Sequence, residues 1–194
     1  MKNIVVPGEK IDGKIDSYVF RDGNNAYSMV LGVLDDRDDY VKISPLSGKY
    51  LPQMDDYVVG VITSVKHGGY VVDINSPYDA FLASRRDYRE GDVIFAKVNN
   101  VNEVKSVSLS YEKRLYEGDL IEISPVKVPR VIGKKNSMVD QIKLKTSTEI
   151  FVGRNGRIWL KGGDVVKAQN AILKIEREAH TDGLTDRITE FLNK

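Results

Sequence analysis

The sequence predicts a multi-domain chain, β first and α+β last. Two observations carry this. Up to residue 111 the apolar residues come in short runs broken by Gly, Pro, Asn and Asp; after residue 112 a helical period takes over. The expected division is a small N-terminal β domain over 1–52, a five-stranded β-barrel over 53–111, and an α+β unit over 112–194 that includes the C-terminal helices.

In the first part, Tyr27–Leu34 reads as one buried strand, Asp35–Asp39 as a charged turn and Tyr40–Ile43 as a second strand. Ser44-Pro45-Leu46-Ser47-Gly48 then breaks the pattern. Residues 54–111 offer five strand candidates: Tyr57–Val65, Gly69–Ile74, Ala80–Leu82, Val93–Val101 and Val107–Tyr111. Five short strands in so few residues suit a small closed barrel of the OB kind. Beyond it, Asp119–Ile123 reads as a strand. Ser137 is the expected N-cap of a helix reaching Lys145, with Met138, Ile142 and Leu144 as apolar positions. Glu149–Val152 and Arg157–Leu160 flank Gly153-Arg154-Asn155-Gly156, and Asn-Gly between apolar runs predicts a hairpin. Asp164 caps a long helix whose Val165, Ala168, Ile172, Ile175 and Ala179 share one face. Thr185–Leu192 reads as a last short helix.

Charge points to a partner class. The chain carries a net charge of only +1, yet residues 127–161 hold nine Lys/Arg against Asp140 and Glu149 alone. A local basic concentration in a near-neutral chain suits either a polyanion site or a solvated face. Cysteine is absent and there are two histidines, His67 and His180. That excludes disulfides, thiol nucleophiles and Cys-based zinc sites. No paired carboxylate motif of a nuclease metal site and no Walker-type loop occurs, so the expectation is a non-catalytic protein with no cofactor or metal. The cluster Asp35, Asp36, Asp38, Asp39 reads as a solvated loop, and His180 as structural. The N-terminus lacks a signal-peptide core and no apolar run could span a bilayer, so the expected address is cytoplasmic, with no membrane contact.

The order strand, short helix, loop, helix, strand, strand, helix over 119–179 resembles a type I KH domain. The resemblance sharpens at Val131-Ile132-Gly133-Lys134-Lys135-Asn136, where KH domains carry Ile-Gly-x-x-Gly, the loop that clamps an RNA backbone. Glycine permits a sharp turn and close approach of phosphate. Lys134 and Lys135 bring charge to that path, and Arg130 lies just before it. Asn136 replaces the second glycine; asparagine tolerates a left-handed backbone, but its side chain stands where phosphate would pass. Gly153, Arg154, Asn155 and Gly156 with Arg157 form a second glycine-rich corner, by itself a hairpin, where the arginines make polyanion contact reasonable. Trp159, the only tryptophan, reads as core.

Residues 57–111 resemble an S1 domain, an OB-fold RNA binder, through Val61–Ile74 and Ala80-Phe81-Leu82. In S1 domains two aromatics around a glycine pair stack bases. Here Tyr70 holds one such position and His67 the other, with Arg85 and Arg86 following Ala83 and Ser84.

An S1 domain followed by one KH domain, with Ile123–Lys135, Val152–Trp159, Glu178–Ile188 and Val6-Pro7-Gly8, is similar to the archaeal exosome RNA-binding cap subunits, counterparts of the eukaryotic ribosomal RNA-processing protein 4. That resemblance implies a trimeric cap seated through the N-terminal domain on a six-membered ring of RNase PH-like subunits. It further implies capture of single-stranded RNA, A-rich tails included, and delivery of its 3′ end for 3′-to-5′ degradation inside the ring. The alternative is a transcription or translation factor of S1-KH type acting on nascent RNA.

Overall fold

Among the described residues of the first 48 positions, turn residues separate six short strands: β1 (Asn3–Val5), β2 (Lys10–Ile11), β3 (Val19–Asp22), β4 (Asn25–Ser28), β5 (Gly32–Arg37) and β6 (Tyr40–Pro45). They form two three-stranded sheets, β1-β5-β6 and β2-β4-β3. In this computed structural model the described residues are 3–13, 18–37, 40–102, 106–179, 181 and 183–193. The chain falls into two units, Met1–Gly48 and Lys49–Lys194.

The run expected as one strand over 27–34 is instead two strands in different sheets. The Ser28 hydroxyl donates to the carbonyl of Val30 at 2.7 Å and accepts its N–H at 3.3 Å, and this local bonding replaces ladder pairing and bends the chain. Asp35 and Asp36 lie within β5, not in a turn. Asp38, Asp39 and His180 are outside the described residues.

The second unit opens with a closed barrel: β7 (Tyr57–Lys66), β8 (Gly69–Asp73), β9 (Ala80–Leu82), β10 (Val93–Val101) and β11 (Val107–Leu115), ordered β10-β11-β9-β8-β7 and closed by the β7–β10 pair. All pairs are antiparallel except β9–β11. Alternation along each strand sends Val58, Ile62, Val72, Leu82, Ile94, Ala96, Val98 and Val107 into a core with virtually no exposure. Tyr50 joins that core and donates its hydroxyl to Asp56 at 2.8 Å, so residues 49–52 travel with the barrel.

Residues 119–193 build β12 (Asp119–Glu122), α1 (Val128–Ile132), α2 (Ser137–Thr146), β13 (Glu149–Val152), β14 (Arg157–Lys161), α3 (Val165–Glu178) and α4 (Leu184–Asn193). The sheet order is β12-β14-β13. One sheet face presents Ile150, Ile158 and Leu160 to the helices, which return Val128, Val131, Ile142, Ala168, Ile172, Ile175 and Ile188. Asp164 caps α3 by accepting the N–H of Lys167 at 2.9 Å. Two details differ from expectation. The N-cap of α2 is Asn136, not Ser137, and Leu144 is 79% exposed because Val139, Ile142 and Thr146 form the buried stripe.

The opposite sheet face carries Trp159, Phe151 and Leu120, which pack against Val59, Val93, Phe95 and Leu115 of the barrel. Trp159 is 3% exposed, as expected of a core residue. The barrel therefore backs the sheet and leaves the helical side free.

Candidate nucleic-acid interface

Between α1 and α2 the chain reverses over four residues. Gly133 has φ +74°, and a Cβ there would lie 2.7 Å from the Met138 Cβ and 2.8 Å from its amide nitrogen, so only glycine fits. Lys135 (φ 52°) and Asn136 (φ 66°) both adopt the left-handed conformation. This costs free energy for side chains bearing a Cβ, least for asparagine. No side chain caps the first turn of α2. The Ser137 N–H is taken by the Lys134 carbonyl; what this end offers an anion is the helix dipole and the following N–H groups, which no side chain caps. Lys134, Lys135 and Asn136 are exposed, as is Arg130 one turn earlier. Among the described residues none of their side chains makes a hydrogen bond or ion pair. Asp140, exposed in the same turn of α2, is the one carboxylate close by in the chain.

The other glycine-rich corner has a different role, which corrects its reading as a polyanion contact. Strand β7 pairs with β10 along Tyr57–Val61, but β8 covers it only from Val61 onward, leaving one backbone edge open over 57–60. The hairpin between β13 and β14 fills that edge. The Arg154 N–H donates to the Tyr57 carbonyl at 2.7 Å. Asn155, fully buried, accepts the Val59 N–H at 3.2 Å and donates to the carbonyls of Val59 (2.7 Å) and Ile74 (2.9 Å). Asn75 donates in return to the Asn155 carbonyl at 3.3 Å. Gly153 is required because a Cβ would come within 2.6 Å of the Val59 nitrogen; at Gly156 it would meet the Ile123 carbonyl at 2.3 Å.

Arg157 completes the latch. Its guanidinium donates to the Asp73 carbonyl and carboxylate, both at 2.7 Å, and to Glu122 at 2.8 Å. Burial pushes the Asp73 carboxyl up, but the hydrogen bonds from Arg157 and the Asn75 N–H outweigh it and hold the group below its ordinary range. Of this corner only Arg154 keeps an exposed side chain, loosely paired with Asp56 at 3.9 Å. Gly153, Asn155, Gly156 and Arg157 are spent on joining the sheet to the barrel.

On the barrel, the expected stacking residue Tyr70 points inward. It sits opposite Leu82, is 8% exposed, and meets Tyr88 edge-on with ring centroids 5.3 Å apart. Its hydroxyl donates to the Arg86 carbonyl at 2.7 Å and accepts the Tyr88 N–H at 3.2 Å. A base cannot stack on a ring committed to the core. The outward aromatic is the neighbouring Phe81, 37% exposed and lying over Gly69, where a Cβ would approach its ring to 2.7 Å. Sequence reasoning missed it, although the alternation Ala80-Phe81-Leu82 places Phe81 on the opposite face from Leu82. His67 is exposed beside the β7–β8 turn and Arg85 is exposed after β9. Arg86 is also exposed but donates to the Glu112 carbonyl at 3.2 Å. The structure thus gathers Arg130, Gly133, Lys134, Lys135 and Asn136 at one free corner and leaves His67, Arg85 and Arg86 on the barrel. Among the described residues no group of three His, Cys, Asp or Glu side chains is placed to hold a metal, and no helix is long and apolar enough to cross a membrane.

Comparison with known proteins agrees with this fold. A KH domain family matches residues 118–166. The exosome complex component Rrp4 of Methanothermus fervidus is 39% identical, the alignment spanning 98% of this chain and 95% of the relative. That of Picrophilus torridus is 40% identical over 100% and 94%. A crystal structure of a protein assigned to RNA binding in an exosome complex superposes with a TM-score of 0.68 at 39% identity, covering 75% of this chain and 96% of the other.

Proposed function

We propose, since this chain belongs to the family of Rrp4 exosome complex components, that it is a non-catalytic RNA-binding cap subunit of an archaeal-type exosome. It captures single-stranded RNA and directs the 3′ end to RNase PH-like ring subunits, where degradation takes place. The observation that carries this reading is the free corner at 133–136. There a cationic loop with a left-handed backbone meets a helix N-terminus that no side chain caps, and among the described residues Lys134, Lys135 and Arg130 have no acidic partner, with Asp140 the one carboxylate in that turn.

In this reading Gly133 lets the phosphate approach, while the N–H groups of α2, with Lys134, Lys135 and Arg130, hold it. Phe81, His67 and Arg85 give the barrel a weaker contact with the strand. The N-terminal unit docks on the ring, three copies form the cap, and the assembly is cytoplasmic. The expected docking, S1 and KH parts then correspond to the unit 1–48, the barrel with its lead-in from Lys49 to Leu115, and the α+β part from β12 onward.

The test is a salt titration of binding to a single-stranded oligoribonucleotide. Log K should fall linearly with log salt, with a slope of about −0.7 for each phosphate neutralised. Lys134→Ala with Lys135→Ala should make that slope shallower and lower affinity across sequences, with the melting temperature unchanged. Unchanged affinity in the double variant sinks the clamp. The purified chain should not shorten RNA with phosphate and magnesium present, and it should co-purify with RNase PH-like subunits.

A further inference from the structure

Four aromatic rings run outward from the seam between sheet and barrel. Trp159 is 3% exposed and meets Phe151 with centroids 5.8 Å apart; Phe151 meets Phe95 at 5.0 Å. Phe95 then lies parallel to Tyr57, at 5.4 Å and an interplanar angle of 9°. Tyr57 is the last rung and is 47% exposed. One face of its ring is covered by Phe95, so the stack is open at the solvent end.

Beside it stands a second exposed ring. Lys97 pairs across the barrel with Tyr57 on one side and with Ser110 on the other. Between the Phe95–Lys113 and Lys97–Ser110 pairs, β11 carries two residues, Tyr111 and Glu112, against Ala96 alone. This is a β-bulge, a device that re-aims side chains. Tyr111 takes φ 53°, unfavourable for a bulky aromatic, and its side chain is 79% exposed. A strained backbone holding an aromatic ring in water, with no packing gained, points to a use outside the fold.

The cations around these rings are already paired: Lys97 with Asp55 at 2.6 Å, Lys113 with Glu149 at 3.3 Å, and Arg154 with Asp56 at 3.9 Å. Lys113 also lies 4.3 Å from the Phe151 ring centre. Three cations against three carboxylates make a surface with little net pull on phosphate. What it offers is flat π-faces ringed by locally neutralised charge, which suits a base better than a backbone.

We propose that Tyr57 and Tyr111 form a base-stacking platform for single-stranded RNA, separate from the cationic loop at 133–136 and from the Phe81 face. This rests on the reading above that the chain binds RNA. The loop would supply phosphate contacts and salt dependence; the platform would supply stacking, which tolerates any base because every base has a π-face.

The experiment uses the full chain with a single-stranded oligoribonucleotide carrying 2-aminopurine at successive positions, whose fluorescence falls on stacking. Wild-type protein at saturation should quench at least one position. Tyr57→Leu and Tyr111→Asn, the latter suited to the left-handed backbone, should each abolish that quench and weaken binding about five-fold or more, with the salt slope unchanged. Tyr111 is so exposed that its variant carries the test even if Tyr57→Leu fails to fold. Wild-type quench and affinity in Tyr111→Asn would overturn the platform, leaving the surface to a protein partner or to nothing. If the wild-type chain itself binds no RNA, the proposed function fails and the platform falls with it. If Lys134→Ala with Lys135→Ala flattens the salt slope while the tyrosine variants do nothing, only the platform falls.

Discussion

Two corners of the same α+β unit look alike in sequence and act as opposites. Gly133-Lys134-Lys135-Asn136 and Gly153-Arg154-Asn155-Gly156 each place cations and an asparagine within or beside a glycine-opened turn. The first lies on the helical side, exposed and without side-chain partners among the described residues. The second lies beside the barrel, with Asn155 at 0% exposure. What separates them is whether an unsatisfied backbone edge lies within reach. Strand β7 leaves its 57–60 edge unpaired by β8, and buried N–H and C=O groups must find partners. The hairpin supplies them. Among the described residues, none of the side chains of the loop at 133–136 is drawn into such a bond.

The contrast breaks most sharply at Asn155. Asn155→Ala removes the partners of the Val59 N–H, the Val59 carbonyl and the Ile74 carbonyl, all in a buried seam. At about 1–3 kcal/mol for each of the three groups left unsatisfied, a loss of about 3 kcal/mol or more is expected in urea unfolding. RNA affinity of the remaining folded protein should be unchanged. A stable variant with weakened RNA binding would return this corner to the nucleic-acid interface.

Arg157 gives the next effect. Arg157→Met leaves Asp73 and Glu122 without their partner, but both carboxylates are largely solvent-exposed, so screening limits the loss to about 1–2 kcal/mol, much of it from the Asp73 carbonyl left without its donor. The pH dependence follows from Asp73. Its folded carboxyl is held below the ordinary value, so the contribution is fully present above the unfolded pKa of about 3.9. It is lost as pH falls through the lower folded value. The stability gap between wild type and Arg157→Met should therefore stay level from pH 7 to 5 and narrow below pH 4. A gap that stays level throughout would mean that Asp73 adds nothing to the latch.

The strands of the barrel and the face of α3 were legible because they depend on alternation and on helical spacing, both local properties. Ala80–Leu82 and Val93–Val101 match the expected strands residue for residue. The role of Asn155 was not legible, because it depends on which stretch of β7 another strand leaves uncovered, nearly a hundred residues away. Tyr70 was misread for a related reason. Aromatic type and glycine neighbours say nothing about which face of the strand is inside until its pairing with Leu82 is known. The free corner was legible in its glycine and lysines, while Ser137 was misplaced as cap because Asn136 takes the left-handed turn one residue earlier.

The smallest effect on stability, and the sharpest comparison of the two asparagines, is Asn136→Gly. At φ 66° and ψ 8°, Asn136 already occupies a backbone region where glycine is at ease. Glycine relieves the steric penalty of that conformation but adds freedom to the unfolded chain, about 0.5–1 kcal/mol in the opposite sense. The two nearly cancel, so stability should shift by less than about 0.5 kcal/mol. Binding should respond differently. The substitution restores glycine at both ends of the loop and removes a side chain standing at the N-terminus of α2, where phosphate would approach. Affinity for single-stranded RNA should rise a few-fold with the salt slope unchanged, since no charge is altered. Equal or weaker affinity would mean that the amide of Asn136 lies outside the strand's path or itself holds the strand. Asn155→Gly, the matched change at the latch, should instead destabilise the fold and leave RNA binding alone.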